Sequence, residues 1–229
     1  KYPNKTMEYY ERDLGYIKAV SKSFLKHVQT KKLVLMNDRI QLYFEPEPKD
    51  LTINKKSKQL KISFTKDISK DHIKDADLKY DSLTKEIYNL AMQNSNYIGS
   101  DTWRFFKEKV KRYCVDSCKR NILVVLTDGY MYHKHTVLEN KGKFSYITPK
   151  KLRLLGLTDY NWSKKIQEYQ YGFIPATENL NDLEVLVIGL VNQDKKRNPY
   201  GKDVVKRFWE NWLEEMGVKR FEVYGAELP

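Results

Sequence analysis

An aspartate and a glycine end one of the apolar runs of this chain. Residues 122–130 read ILVVLTDGY, five apolar residues followed by Thr127, Asp128, Gly129 and Tyr130. Hard cations such as Mg²⁺ take oxygen ligands from carboxylates, hydroxyls and water, and an aspartate at the end of a strand can supply one. Gly129 would let the chain turn sharply away from that edge. Asp128 is therefore a candidate magnesium ligand.

A second group of oxygen-bearing side chains lies in the loop before Trp103. The sequence GSDT places Ser100, Asp101 and Thr102 in consecutive positions. If the strand that starts at residue 122 lies next to this loop, the two segments converge on one point. These three side chains and Asp128 are therefore candidate ligands of a magnesium site there.

Structural roles offer another interpretation of the same residues. Thr-Asp-Gly after a strand is a common turn, in which the Asp side chain bonds the backbone and Gly takes a positive φ. Asp101 or Thr102 can cap the helix that follows. His133 and His135 lie on one side of an extended chain, as in a zinc pair. No Cys or third His completes that set nearby, so we favour a solvated loop there.

The surrounding pattern predicts helices and strands in alternation. Apolar residues at helical spacing over 7–29 indicate an amphipathic helix. Alternating residues in RIQLYF and QLKISFTKD indicate an antiparallel hairpin joined by a lysine-rich turn. Residues 67–82 are polar and are expected to form a surface loop, followed by a short helix with Ser82 as its cap. Further along, apolar strands at 122–127 and 183–191 alternate with helices.

Such an alternation is typical of a three-layer α/β fold. We expect a single domain over residues 1–229, with a mostly parallel central sheet, helices on both faces and one antiparallel edge hairpin. The strand at 122–127 is expected to be central and buried on both faces. Ligands of such sheets sit beyond the carboxyl ends of the strands, where Asp128 would lie.

Several of these segments together resemble a von Willebrand factor A domain. They are DRIQLYF with the second hairpin strand, YIGSDTWRFF, NILVVLTDGY and LEVLVIGLV. That family has an amphipathic first helix, a glycine–Thr loop before a helix, a strand ending T-D-G and a following strand ending I-G. The resemblance covers most of the chain, and its specific parts are the T-D-G strand and the loop before Trp103.

The resemblance implies a metal-ion-dependent adhesion site built from three loops. The family's third-loop Asp falls on Asp128, and its second-loop Thr falls on Thr102 or, by strict spacing after Gly99, on Asp101. Its first motif, Asp-x-Ser-x-Ser, has no match in the residues present. Either that motif lies before Lys1, or the segment KLVLMND takes the place of the first strand.

The chain is strongly basic. Lys and Arg number 42 against 30 Asp and Glu, a net charge of +12, and the basic clusters are spread along the sequence. A nucleic-acid site, a partner with an anionic surface and a solvated lysine-rich surface are all compatible with this charge, and its spread along the chain favours the last.

No apolar run approaches the roughly 20 residues that span a bilayer, so we expect a soluble chain without a transmembrane segment. It starts at Lys1 rather than Met, which indicates a processed or trimmed piece. Both a periplasmic or secreted and a cytoplasmic location stay open.

These observations favour a non-enzymatic interaction module of the von Willebrand A type. A bound Mg²⁺ would keep one coordination position open for a carboxylate of a protein partner. The alternative is a metal-dependent nuclease or phosphotransfer enzyme, which predicts a contiguous basic face around Asp128 and salt-sensitive binding of nucleic acid. A third hypothesis is a scaffold with a metal-free site. The sequence contains no Walker loop, G-x-G-x-x-G motif or G-x-S-x-G elbow, which disfavours several enzyme classes. The oligomeric state stays open.

Overall fold

A computed structural model describes residues 6–68, 70–93 and 99–226 of the chain. The chain divides into two compact units, Lys1–Tyr97 and Ile98–Pro229. Each unit contains both helices and strands, so the protein is α/β, as the sequence predicted. That residues 1–229 form a single domain stays a prediction.

The described part of the first unit contains three α-helices and two short strands. The strands are antiparallel, with Asp38 opposite Phe64, which confirms the predicted direction of pairing. The first strand ends at Ile40, within the predicted run RIQLYF, and the two strands form a sheet of their own and not an edge of the parallel sheet. On two of the helices the buried apolar residues recur every three or four positions, for example Ile73, Ala76 and Tyr80, so each helix has one apolar face. The elements are α1 (Thr6–Thr30), β1 (Asn37–Ile40), α2 (Leu51–Gln59), β2 (Ile62–Thr65) and α3 (Lys70–Gln93).

Three local expectations in this unit are wrong. The polar stretch 67–82 is not a loop, because helix α3 already begins at Lys70. Ser82 lies inside that helix, where its hydroxyl donates to the Leu78 carbonyl, so it is not a cap. The lysine-rich turn is helix α2, and Asp50 caps it by accepting hydrogen bonds from two backbone N–H groups.

The segment KLVLMND does not form a buried strand. Leu33–Leu35 make one turn of 3₁₀ helix, and their side chains are 57%, 77% and 66% exposed. Extended pairing starts only at Asn37, in β1. This segment therefore does not take the place of a central first strand in the part of the chain that is described.

A three-stranded parallel sheet organises the second unit. Its strand order is β10-β9-β4, and β9 pairs in parallel with both neighbours. The unit comprises β3 (Gly99–Ser100), α4 (Thr102–Glu108), α5 (Val110–Cys114), β4 (Asn121–Leu126), β5 (Tyr132–His133), β6 (Glu139–Asn140), β7 (Lys143–Phe144), α6 (Pro149–Leu154), α7 (Trp162–Tyr169), β8 (Gly172–Phe173), β9 (Leu183–Leu190), α8 (Gly201–Glu215) and β10 (Arg220–Gly225).

The two apolar strands of the sequence differ in burial. Strand β9 lies between its neighbours, and Val185 and Val187 are buried. Strand β4 lies at an edge of the three described strands, and Ile122 is 57% exposed. The expectation that the run at 122–127 is the central strand, buried on both faces, is therefore not met within this sheet. Strand β9 has that position.

Helix α8 supplies three large aromatic side chains to the core of this unit. Phe208, Trp209 and Trp212 are fully buried on one side of the helix. The indole N–H of Trp212 donates to the carbonyl of Ile174 at 2.8 Å, and the indole of Trp103 donates to the same oxygen at 2.8 Å. Buried indole groups need such partners, so this carbonyl ties the α4 and α8 helices to the segment after β8.

An ion pair joins the amino ends of the two neighbouring strands β4 and β9. Arg120 donates two hydrogen bonds of 2.8 Å to the carboxylate of Glu184. These bonds hold the pKa of Glu184 below its usual range. Because the carboxylate form is the bonded one, the pair stabilises the fold above the usual carboxyl pKa, and this contribution is lost as pH falls.

We therefore expect Arg120→Gln to flatten the acid dependence of stability. Between about pH 7 and about pH 3, the free energy of unfolding should fall less in the variant than in the unchanged protein. Urea denaturation across this pH range, followed by tryptophan fluorescence, measures the difference. Arg220→Gln is the control, because Arg220 reaches the same carboxylate with a single contact of 3.3 Å. Equal slopes for Arg120→Gln and the unchanged protein would contradict the role of the pair.

None of the described helices is both long and apolar enough to cross a membrane.

Candidate functional site

Asp128 closes a tight turn at the carboxyl end of β4. Its Oδ1 accepts a hydrogen bond of 2.9 Å from the backbone N–H of Tyr130. The hydroxyl of Thr127 accepts one of 3.0 Å from the N–H of Gly129. The other carboxylate oxygen, Oδ2, accepts from the side-chain amide of Gln193, just beyond β9. Both oxygens of the candidate ligand therefore have protein partners, as in the turn that the sequence offered as the alternative.

Gly129 is required by conformation and by packing. Its φ is +95°, in the region that favours glycine. A Cβ atom at this position would lie 2.6 Å from a methyl group of Val205 and 3.0 Å from Leu190 Cγ. The indole of Trp209 also donates a hydrogen bond of 2.9 Å to the carbonyl of Gly129. The T-D-G turn is thus the point at which α8 packs against the end of the sheet.

The GSDT loop lies alongside the segment that follows Asp128. In the short antiparallel pair β3–β5, Ser100 is opposite Tyr132 and Gly99 is opposite His133. The approach is close, because a Cβ at Gly99 would lie 2.1 Å from the carbonyl oxygen of Tyr132. The GSDT loop is therefore a neighbour of residues 132–133, a few positions after Asp128, and it does not pair with the strand β4 itself.

Asp101 is buried and anchors the loop. Its side chain is 3% exposed. One oxygen accepts the capping hydrogen bond from the N–H of Arg104, and the other accepts a bond of 2.6 Å from the hydroxyl of Thr136. This is the helix cap predicted as the alternative role of Asp101. A carboxylate held in this way does not fit a metal site, because its oxygens are shielded and occupied.

His133 lies against that carboxylate and is not part of a solvated loop. Its ring is 6% exposed, and Nδ1 is 3.1 Å from Asp101 Oδ2. That contact lacks hydrogen-bond alignment, and neither ring nitrogen has a hydrogen-bond partner among the described residues. The ring of His135 lies 5.5 Å away and is exposed. The solvated loop is therefore a correct prediction for His135 and a wrong one for His133.

The other two candidate metal ligands, Ser100 and Thr102, carry hydroxyl groups. Ser100 Oγ and Thr102 Oγ1 lie 3.0 Å apart and bond to each other, and both side chains are partly exposed. Within residues 6–68, 70–93 and 99–226, no group of three His, Cys, Asp or Glu side chains is arranged to hold a metal ion. Ser100, Thr102 and Asp128 can offer oxygen atoms to a hard cation, whereas Asp101 does not fit.

The turn after β9 contributes residues that were not predicted from the sequence. Gln193 contacts Asp128, and Asp194 forms an ion pair with Arg153 of α6. Buried Asn198 holds the turn from within. Their position in the sequence could have indicated these residues, because β9 and β4 are parallel and therefore end at the same edge of the sheet. A polar turn after β9 is expected beside Asp128 for that reason.

No relative is identified for this arrangement. No protein-family model matches the chain, and no curated protein or solved structure matches it.

Proposed function

We propose that the second unit is a non-enzymatic protein-interaction module of the von Willebrand A type. Its partner would bind at the carboxyl edge of the parallel sheet, beside Asp128. The proposal includes a three-layer arrangement, with helices on both faces of a mostly parallel sheet. It combines the sequence resemblance with the position of the site, since ligands of parallel sheets bind at this edge.

The observation that carries the proposal is the convergence of three segments. The GSDT loop pairs through Ser100 with Tyr132, four positions after Asp128. The turn after β9 reaches Asp128 through Gln193. Two other stretches thus contact the segment 128–132 that follows β4, one at Tyr132 and one at Asp128, and this supports the proposal of a recognition surface there.

We propose that this site binds Mg²⁺ through a reduced set of ligands. Ser100, Thr102 and Asp128 would hold the ion, and Asp101 would remain a structural group. The side-chain amide of Gln193 now donates a hydrogen bond to Asp128 Oδ2. Asp128 would give up this hydrogen bond when Oδ2 binds the cation. When bound, the ion would offer an open coordination position to a carboxylate of the partner.

Calorimetric titration with Mg²⁺ tests the metal part. We expect one binding event, weakened at least about tenfold by Asp128→Ala, because the only anionic ligand is removed. Asp203→Ala is the matched control, since Asp203 is an exposed carboxylate on α8 and should leave binding unchanged. Absence of binding, or equal binding by Asp128→Ala, would contradict Mg²⁺ coordination at Asp128.

Site-specific photo-crosslinking tests the interaction part without reference to metal. A benzophenone amino acid at Gln193 should capture a specific protein partner in an extract of the source cells. The same group at Lys219 should not, because Lys219 is exposed at the amino end of β10, at the opposite edge of the sheet. Capture of the same proteins from both positions, or from neither, would overturn the proposed binding face.

A further inference from the structure

The turn after β9 presents three consecutive cations beside the candidate site. Lys195, Lys196 and Arg197 are all exposed, and no carboxylate within the described ranges forms an ion pair with them. The carboxylate nearest in sequence, Asp194, pairs with Arg153 instead. Three positive charges at adjacent positions repel each other, so a negative partner would stabilise them.

This turn is held rigidly from inside. Asn198 is 2% exposed, and its amide donates a hydrogen bond of 3.1 Å to the carbonyl of Leu157. Asn192 donates one of 2.8 Å to the carbonyl of Asn198, and its side-chain oxygen accepts from the N–H of Asp194. The backbone N–H of Asn198 closes the turn on the Asp194 carbonyl at 2.8 Å.

The rigidity matters for binding, because little backbone entropy is lost when a partner docks on a preformed turn. The turn is also attached to the proposed site, through the contact of Gln193 with Asp128. Helix α8 starts at Gly201, shortly after the three cations. The positive end of its dipole therefore follows them closely along the chain.

We propose that Lys195, Lys196 and Arg197 bind an acidic segment of a protein partner. This inference rests on the proposed function and specifies the chemistry of the partner. Arg197 can hold a carboxylate with two parallel hydrogen bonds, and the two lysines provide charge without a fixed geometry. Asp128 lies next to the turn, because it accepts a hydrogen bond from Gln193. Its negative charge therefore borders the positive surface of the three cations.

A short acidic peptide suits this footprint better than nucleic acid does. Nucleic-acid affinity comes from many phosphate contacts along an extended backbone. Here three adjacent cations occupy a single turn, and carboxylates at Asp128 and Asp194 lie next to them. A nucleic-acid backbone that crossed the turn would be repelled by these two carboxylates. A compact cluster of glutamates could contact the three cations without approaching these carboxylates.

Fluorescence anisotropy with a labelled octaglutamate peptide tests the inference. The variant Lys195→Glu/Lys196→Glu/Arg197→Glu should bind at least about tenfold more weakly, because its cations become repulsive groups. The matched control is Lys55→Glu/Lys58→Glu/Lys61→Glu, which makes the same change in net charge at exposed lysines of the first unit. Its affinity should stay within about twofold of the unchanged protein, because the three cations of the turn are unaltered and salt screens a general change in net charge.

Three outcomes would overturn the inference. Equal losses in both triple variants would show that binding follows net charge and not this turn. No binding by the unchanged protein at low salt would remove the acidic-segment site. A single-stranded oligonucleotide of equal charge that binds more tightly than the peptide, and depends on the same three cations, would assign the turn to nucleic acid. Crosslinking at Gln193 reports separately on the proposed function, so either idea can fail alone.

Discussion

Replacing Gly129 with alanine is expected to lower the free energy of unfolding of the second unit by about 3 kcal/mol. An L-residue at a positive φ costs about 1–2 kcal/mol, and forcing a methyl group into a packed site adds about 1–3 kcal/mol. The methyl group would meet Val205 at 2.6 Å and Leu190 at 3.0 Å. Helix α8 would then have to shift away from the end of the sheet.

Gly156→Ala separates the two contributions. Gly156 has a φ of +67°, but the nearest atom to an added Cβ is the flexible end of Lys165, at 3.3 Å. This variant should therefore lose only the conformational part, about 1 kcal/mol. All four tryptophans lie in the second unit, so fluorescence during urea denaturation reports on that unit. Equal losses for Gly129→Ala and Gly156→Ala would refute the close packing of α8 on the turn.

Asp101→Ala is expected to cost about 3 kcal/mol as well, because Asp101 is a structural group. Loss of a helix cap costs about 1 kcal/mol, and loss of buried hydrogen bonds to a charged group costs about 1.5–3 kcal/mol. The N–H of Arg104 and the hydroxyl of Thr136 would both lose their acceptor. Ser100→Ala should change stability little, since Ser100 is partly exposed and, among the residues that the structure describes, its hydroxyl bonds the neighbouring hydroxyl of Thr102.

A double-mutant cycle with Thr136→Val identifies the cause. If the hydrogen bond from Thr136 to Asp101 is formed, the losses in Asp101→Ala and Thr136→Val should fall short of additivity by about 1–2 kcal/mol in the double variant. Additive losses would show that the two side chains act independently. Unchanged stability in Asp101→Ala, together with loss of Mg²⁺ binding, would instead restore Asp101 as a metal ligand.

Elements with local signals could be predicted from the sequence. Thr148 caps α6 and Pro149 is its first residue, and both residue types favour those positions, because a cap and its helix are adjacent in the chain. Strand β9 and helix α8 occupy the expected stretches. The antiparallel pairing of β1 with β2 also follows from alternation. The predicted helix after Asp101 is instead two shorter ones, α4 and α5.

Helix α3 shows where local reasoning failed. Its first half is rich in aspartate and lysine, which resembles a loop in composition. Ile73, Ala76 and Tyr80 nevertheless lie on one face and are buried, and α1 packs against α3. Tertiary burial of that face outweighs the polar composition of the rest, since helix propensity by itself is a weak preference.

The α/β class, the parallel strands with their helices, and the turn at Asp128 with its glycine could all be predicted without the structure. These features depend on short-range periodicity, caps and turn chemistry, which neighbouring residues encode. The partners of the acidic groups became known from the three-dimensional structure, because they are far apart in the chain. Gln193 lies 65 positions from Asp128, and Thr136 lies 35 positions from Asp101. The three-dimensional structure also placed β9 between β10 and β4 and set the cationic turn beside Asp128. Such contacts depend on which strands pair and how closely α8 approaches them, and no local spacing in the chain specifies either.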